Sequence, residues 1–281
     1  MRIGLTGATG FIGRHVLKEL MLNDVEVVAL TRTPAKLSCL EGVQVIQADI
    51  NSGVDFYHLM GAPDILIHLA WDGLPNYKSL HHFEAELPRQ YKFIKRIVES
   101  GLNSLFITGT CFEYGMQSGA LSAEMKTEPT NPYGYAKDSL RKQLEFLRVD
   151  TKFNFTWARL FYMYGEGQVE NSLYPQLKKA VLRGDKVFNM SGGQQLRDYL
   201  PIETVAERIV RMALEQKDIG VTNICSGKPI SVGDLVQQWI RENGWDIELN
   251  LGYYPYPDYE PMSFWGSNIK FNGVVGSNYV A

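Results

Sequence analysis

Apolar runs of strand length alternate with longer stretches of helical period through the first 160 residues. The short runs cover residues 2–6, 25–31, 43–47, 64–69, 104–108 and 153–160, each nearly continuously apolar or β-branched. Continuous rather than alternating apolar character predicts strands covered on both faces. Helical patterns over 11–22, 83–100 and 132–148 lie between them. Strand–helix–strand alternation predicts right-handed crossovers, and therefore an α/β fold with a doubly wound parallel sheet. Beyond residue 160 the rhythm loosens, with helices expected over 173–183, 202–216 and 232–242 and strands over 186–190 and 221–225. Tyr253, Tyr254, Tyr256, Tyr259, Phe264 and Trp265 then alternate with Pro255, Pro257 and Pro261. Prolines at that density exclude helix and central strand. The segment is read as an aromatic loop, either a lid of core aromatics or a wall over a ligand.

Composition narrows the function classes. Hydrophobic residues at 45% and charged residues at 21% describe a globular chain. A near-balance of 28 basic and 31 acidic residues argues against nucleic-acid binding, which calls for a basic surplus or stripe. No run approaches the roughly 18 apolar residues of a spanning helix, so no membrane role is expected. Met1-Arg2-Ile3-Gly4-Leu5 runs directly into a strand pattern without a signal-peptide core. Cys39, Cys111 and Cys225 are too scattered for a disulfide framework or a zinc site, and a reducing, cytoplasmic setting follows. His15, His58, His68, His81 and His82 have no ligand spacing with the cysteines, so no metal is expected.

Gly7-Ala8-Thr9-Gly10-Phe11-Ile12-Gly13 follows the first strand and opens the first helix. One glycine allows the sharp turn, one lets a pyrophosphate approach, and the last allows close helix–sheet packing. Glycine spacing alone is weak evidence; strand before and helix after make it a dinucleotide loop. The residue that reads the adenosine ribose is expected about 20 residues further on, where an acid would bond the 2′-hydroxyl of NAD. Here Val28-Ala29-Leu30-Thr31-Arg32 ends the second strand without a carboxylate, and Arg32 can pair with a 2′-phosphate. NADP(H) is therefore preferred, with NAD(H) the alternative. Asp49, beside Ile50 at the end of the third strand, is read either as an adenine contact or as a helix cap.

Tyr133 and Lys137 lie one helical turn apart behind a good N-cap, Asn131, and a good first residue, Pro132. An ammonium beside a phenol favours the phenolate and suits it to proton transfer. Tyr91…Lys95 and Tyr174…Lys178 repeat the spacing. Only the pair at Tyr133 follows a strand ending in a hydroxyl, Thr110, where ligands gather in a parallel sheet. Trp71 and Asp72, after the fourth strand, are read as substrate contacts or loop packing. Cys111 is read as a small apolar filler rather than a reactive thiol.

With these pieces in family order, the chain resembles the extended short-chain dehydrogenase/reductases of the sugar-nucleotide epimerase, dehydratase and ketoreductase superfamily. The matching motifs are Gly7-x-x-Gly10-x-x-Gly13, His68-Leu69-Ala70, Thr110…Tyr114-Gly115 and Tyr133-x-x-x-Lys137, followed by Arg159…Tyr164-Gly165, Asn171-Ser172-Leu173 and Arg197-Asp198-Tyr199. The resemblance implies a Rossmann domain over 1–165, with pieces from about 186–225, and a smaller, mainly substrate-binding α/β part over 166–281. It implies a catalytic triad of Thr110, Tyr133 and Lys137. Tyr133 is then the acid–base, and Lys137 holds the nicotinamide ribose and lowers the tyrosine pKa. Gly7, Thr9, Gly10, Phe11, Ile12, Gly13, Leu69, Ala70, Thr108 and Phe161 would line the cofactor groove. Trp71, Asp72, Thr110, Cys111, Phe112 and Tyr162 would surround the sugar, while Asn171, Ser172 and Arg197 would meet the nucleoside diphosphate. A cytoplasmic homodimer through helices 83–100 and 132–148 is also implied.

Departures from the pattern narrow the chemistry. The Asp-Glu pair of 4,6-dehydratases is replaced by Cys111 and Phe112, which argues against dehydration. A reductive epimerase of the GDP-fucose branch needs its cysteine one residue later than Cys111. Glu86-Leu87-Pro88-Arg89-Gln90 replaces the usual Asn-Val-x-Gly-Thr, and Tyr162 replaces a common Asn. NADPH-dependent reduction at C4 of a nucleoside-diphosphate (dTDP among the candidates) 4-keto-6-deoxyhexose is the leading expectation, in deoxysugar and polysaccharide biosynthesis. An NAD-dependent 4-epimerase and a non-catalytic NADP(H)-sensing protein are the alternatives.

Overall fold

The structure is a computed structural model that describes residues 1–37 and 41–276, so Cys39 lies outside the described residues. The strands are β1 (Arg2–Thr6), β2 (Glu26–Thr31), β3 (Val43–Gln47), β4 (Ile65–His68), β5 (Ser104–Thr110), β6 (Gly119–Leu121), β7 (Asn154–Leu160) and β8 (Tyr162–Tyr164). They continue with β9 (Val187–Asn189), β10 (Leu196–Arg197), β11 (Tyr199–Pro201), β12 (Gly220–Ile224), β13 (Ile230–Ser231), β14 (Glu248–Asn250) and β15 (Phe264–Gly266). The helices are α1 (Phe11–Leu20), α2 (Phe56–Leu59), α3 (Leu87–Glu99), α4 (Pro132–Asp150), α5 (Leu173–Arg183), α6 (Ile202–Leu214), α7 (Val232–Asn243) and α8 (Ile269–Val275).

Seven strands pair in the order β12-β7-β5-β4-β1-β2-β3, all parallel. One face carries an apolar layer that includes Val16, Leu20, Ile209 and Phe271, from α1, α6 and α8. The other carries Phe56, Phe93, Ile97, Leu140 and Leu144, from α2, α3 and α4. This two-sided burial is why the strands are nearly continuously apolar. The strand order reverses at β1, between β2 on one side and β4 on the other, and the crevice at that point is where such sheets bind ligands. A further cluster around Trp239, Leu177 and Val236 joins α5 to α7. No helix among the described residues is long and apolar enough to cross a membrane.

Two elements differ from expectation. The helix expected over 83–100 begins as a π-helical turn, His82–Glu86, and only then becomes α3. Pro88 has no N–H for the Glu84 carbonyl, and the turn before it widens. The aromatic segment is a loop, but it closes in β15, where Phe264 pairs with Gly119 and Gly266 with Leu121. Its last proline is Pro261, so residues 264–266 keep their N–H groups for pairing.

Candidate active site

The glycine loop leaves β1 with Gly7 at φ +77°, and a Cβ there would stand 2.8 Å from the Ala70 nitrogen. A Cβ on Gly13 would lie 2.0 Å from the Gly7 carbonyl oxygen, so α1 seats directly on the loop. Gly10 meets only that carbonyl, at 3.3 Å, and forms part of the groove wall. These are the turn, the packing contact and the open approach that a pyrophosphate requires. The groove beside them has a volume of about 270 Å³. Gly7, Thr9, Gly10, Arg32, Asp49, Ile50, Leu69, Ala70, Trp71 and Asp72 all line it. Phe11 and Ile12 turn partly toward the core. The Asp49 carboxylate accepts from the Asn51 backbone at 2.9 Å and from its side chain at 2.8 Å, so it caps a turn rather than a helix. Arg32 stands 3.9 Å from Asp72, and both are exposed.

Thr110, Tyr133 and Lys137 come together beyond Trp71. Asn131 caps α4 through the Gly134 N–H at 2.8 Å. Gly134 packs so closely on the turn after β5 that a Cβ would be 2.6 Å from the Phe112 carbonyl oxygen. That seating sets the Tyr133 phenol beside the Thr110 side chain, whose hydroxyl acts to lower the phenol pKa. Lys137 donates from Nζ to the Thr108 carbonyl at 2.8 Å and lies 4.1 Å from the centre of the Trp71 ring. Trp71, Tyr77, His82 and Phe112 surround the Tyr133 ring.

Burial dominates the ionisation of both groups. It pushes the Tyr133 phenol up, with Tyr77 and Glu113 adding to the shift. It lowers the Lys137 ammonium to about 7, while Glu113 and Glu86 act in the opposite direction. Burial sets the direction for the phenol, and the Lys137 ammonium is directed to the Thr108 carbonyl and the Trp71 ring. Cys111 is buried and its thiol is pushed up by desolvation, as befits an apolar filler. Phe161 packs beside it against Tyr114 and Phe264.

Sequence reasoning missed the supports. Glu113 is fully buried below Thr110 and accepts from its N–H at 2.9 Å, from Trp157 Nε1 at 2.9 Å and from Arg159 Nε at 2.7 Å. Beneath the groove, Thr6 bonds His68 Nδ1 at 2.8 Å, and His68 Nε2 meets Gln90 Oε1. The Gln90 amide donates to Glu86, which also accepts the Asp72 N–H at 3.0 Å. Burial depresses the His68 pKa to about 3, so a neutral ring links the two sides. Thr…Glu at i, i+3 was legible as a capping box; the His68–Gln90 bond joins separate elements with no spacing signal.

The residues expected around a nucleoside diphosphate sit in different environments. Asn171 is exposed and Ser172 half-buried where α5 begins. Arg197 is buried at 3% exposure and paired with Glu260 at 3.0 Å. Tyr162 donates its hydroxyl to the same carboxylate. Asp198 is structural: it accepts the N–H groups of Ser226, Gly227 and Gly266.

A family model described as NAD dependent epimerase/dehydratase family matches residues 3–225. The chain belongs to that family. With that match and the sugar-nucleotide dehydrogenases among its relatives, this chain is an oxidoreductase. It is 31% identical over 95% of its length, and 100% of the relative's, to a dTDP-6-deoxy-L-talose 4-dehydrogenase (NAD(+)) of Aggregatibacter actinomycetemcomitans. A GDP-6-deoxy-D-talose 4-dehydrogenase of the same organism is 24% identical over 99% of this chain and 92% of its own. Among solved structures, MoeE5 in complex with UDP-glucose and NAD superposes with a TM-score of 0.81 at 26% identity, covering 98% of this chain and 92% of the other.

Proposed function

We propose that this chain interconverts the C4 ketone and C4 alcohol of a nucleoside-diphosphate 6-deoxyhexose, with dTDP as the nucleotide and the ketone as the physiological substrate. The observation that carries the reading is Tyr133 and Lys137 buried together against Trp71 at the end of β5, with Thr110 there and Cys111 and Phe112 in the next two places. That arrangement can move one proton at a sugar oxygen, but has no further acid–base pair there for water elimination. The 31% identical 4-dehydrogenase, named for the same reaction read backwards, supports it.

The glycine cradle and groove fit a nicotinamide dinucleotide, which when bound supplies or takes the hydride. Tyr133 donates its phenolic proton to the forming alkoxide, and the Thr110 hydroxyl bonds the same oxygen. Lys137 sits between the Thr108 carbonyl and the groove wall, where its ammonium can bond a ribose hydroxyl. Arg32 favours NADP(H). NAD(H) is the second reading, because Asp72 stands close to Arg32 and the relative's name specifies NAD(+). Residues 1–165 would carry the dinucleotide and 166–281 mainly the sugar nucleotide. Exposed Phe146 and Val149 on α4 suit a dimer through α3 and α4.

Incubation with NADPH or NADH and a panel of 4-keto-6-deoxy sugar nucleotides should give stoichiometric cofactor oxidation. Tyr133→Phe should cut turnover by roughly 10²–10⁴-fold while leaving cofactor binding nearly unchanged. Stoichiometric NAD released from denatured wild type, with isomerisation that needs no added cofactor, would instead make the chain a 4-epimerase.

A further inference from the structure

His82 is fully buried, and each of its ring nitrogens has a partner of one kind. Nδ1 lies 3.1 Å from the Trp71 indole nitrogen, which can only donate. Nε2 lies 2.8 Å from the Asn76 carbonyl, which can only accept. The two partners therefore fix one neutral tautomer, with the proton on Nε2. Trp71, held from that side, lies with its ring centre 4.1 Å from Lys137 Nζ and edge-on to Tyr133 at 5.9 Å. The His82 ring itself stands 5.2 Å from that of Tyr133. Tyr133 and Lys137 belong to α4 and Trp71 to the turn after β4, so His82 ties that turn to the pair.

The local chain is built around this ring. His82 opens the π-helical turn ahead of α3, a distortion found most often at functional sites. The preceding loop folds over it: Gly73 stands at φ +86°, and a Cβ there would be 3.2 Å from His82 Cε1. The Asn76 N–H donates to the Gly73 carbonyl at 3.1 Å, and the His82 N–H to the Ser79 carbonyl at 3.3 Å. Burial is the largest influence on the ring and holds it below the ordinary histidine range. His81 on the same segment and Lys137 on α4 add to that effect, while the Asn76 carbonyl and Glu86 oppose it. A proton on Nδ1 would leave two donors facing each other, so the bond to Trp71 exists only with the neutral ring.

We propose that His82 is a positioning residue acting through Trp71: its neutral ring holds the indole on Lys137 and so orients that side chain for the reaction, and protonation of His82 releases it. The proposal rests on the reading of Tyr133 and Lys137 as the reacting pair. Steady-state reduction of a 4-keto-6-deoxy sugar nucleotide from about pH 8 to 5 tests it with three variants. His82→Phe keeps a ring and removes both bonds, and Trp71→Phe keeps a ring and removes the donor. Each should lower kcat by roughly ten- to a hundredfold with little change in KM. The double variant should be no worse than the poorer single one, because both act through one contact. His82→Asn offers an acceptor near the Nδ1 position and does not titrate. It should keep most of the turnover and lack the acid-side fall in kcat that wild type shows. In wild type, the Trp71 indole N–H signal in NMR should shift, and exchange faster with water, as pH falls below the ordinary histidine range; this readout needs no turnover. Independent losses in the double variant, or an acid-side fall that persists in His82→Asn, would make His82 a packing residue and overturn the proposal. An indole signal that does not move with pH would also overturn it. Wild-type turnover by Tyr133→Phe, or no turnover of any ketone by wild type, would instead overturn the reading of the reacting pair, and the positioning role would fall with it.

Discussion

The Lys137 ammonium lies 4.1 Å from the centre of the Trp71 ring, so one aromatic side chain walls both the glycine groove and the Tyr133–Lys137 pair. Trp71 is fixed in turn by a hydrogen bond from its Nε1 to His82 Nδ1 at 3.1 Å. The cation–π contact and the Thr108 carbonyl offset part of the cost of burying a charge at 3% exposure. The remaining cost shows in the depression of the Lys137 pKa to about 7.

That depression has a sign. Between a folded value of about 7 and an unfolded one near 10.4, the unfolded chain binds the extra proton, so stability rises with pH across this window. Lys137→Met removes the titration. Its stability relative to wild type should be most favourable at pH 7 and below, and should decline steadily toward pH 10. Urea unfolding at four pH values checks this, and a pH-independent difference would mean that Lys137 keeps its ordinary pKa.

Glu113 neutralises Arg159 in a fully buried site, with Arg141 Nε 4.0 Å from its carboxylate. Glu113→Leu would leave a guanidinium without its partner and the Thr110 N–H without an acceptor. A loss of about 3–5 kcal/mol is expected, read by urea unfolding. Glu113→Gln, which keeps the hydrogen-bond shape, should lose less. Equal losses for the two variants would show that charge is not what Glu113 contributes.

Arg32 lies 3.9 Å from Asp72, beyond hydrogen-bond reach, so its N–H groups remain available on that side of the groove. Arg32→Asp should weaken NADPH by about 10–100-fold and NADH much less, measured by fluorescence titration. An equal effect on both cofactors would assign the preference to another residue.

Much of the fold was legible in the chain. β1, β3 and α5 match their expected limits, because each is an apolar run or an amphipathic stretch bounded by turn residues or charges. The glycine loop was legible for the same local reason: the turn, the close packing and the open approach are adjacent in sequence. Glu260 was not. It is 63 residues from Arg197 and sits among tyrosines and prolines whose pattern indicated a loop and nothing about a carboxylate inside it. His68 on β4 likewise reaches Gln90 on α3 only through tertiary packing, and Gln90 then bonds Glu86 one helical turn before it.

Local rules thus determined which segments are strands and helices, where the dinucleotide loop stands, and that Tyr133 and Lys137 share one helical face. Those are consequences of side-chain period and backbone sterics within a few residues. Tertiary structure alone decided the electrostatics. Burial raised Tyr133 and lowered Lys137, where a neighbouring charge alone would have lowered the phenol. It also paired Arg197 with Glu260. Desolvation and long-range ion pairing depend on how much water the assembled layers exclude, and no window of sequence contains that quantity.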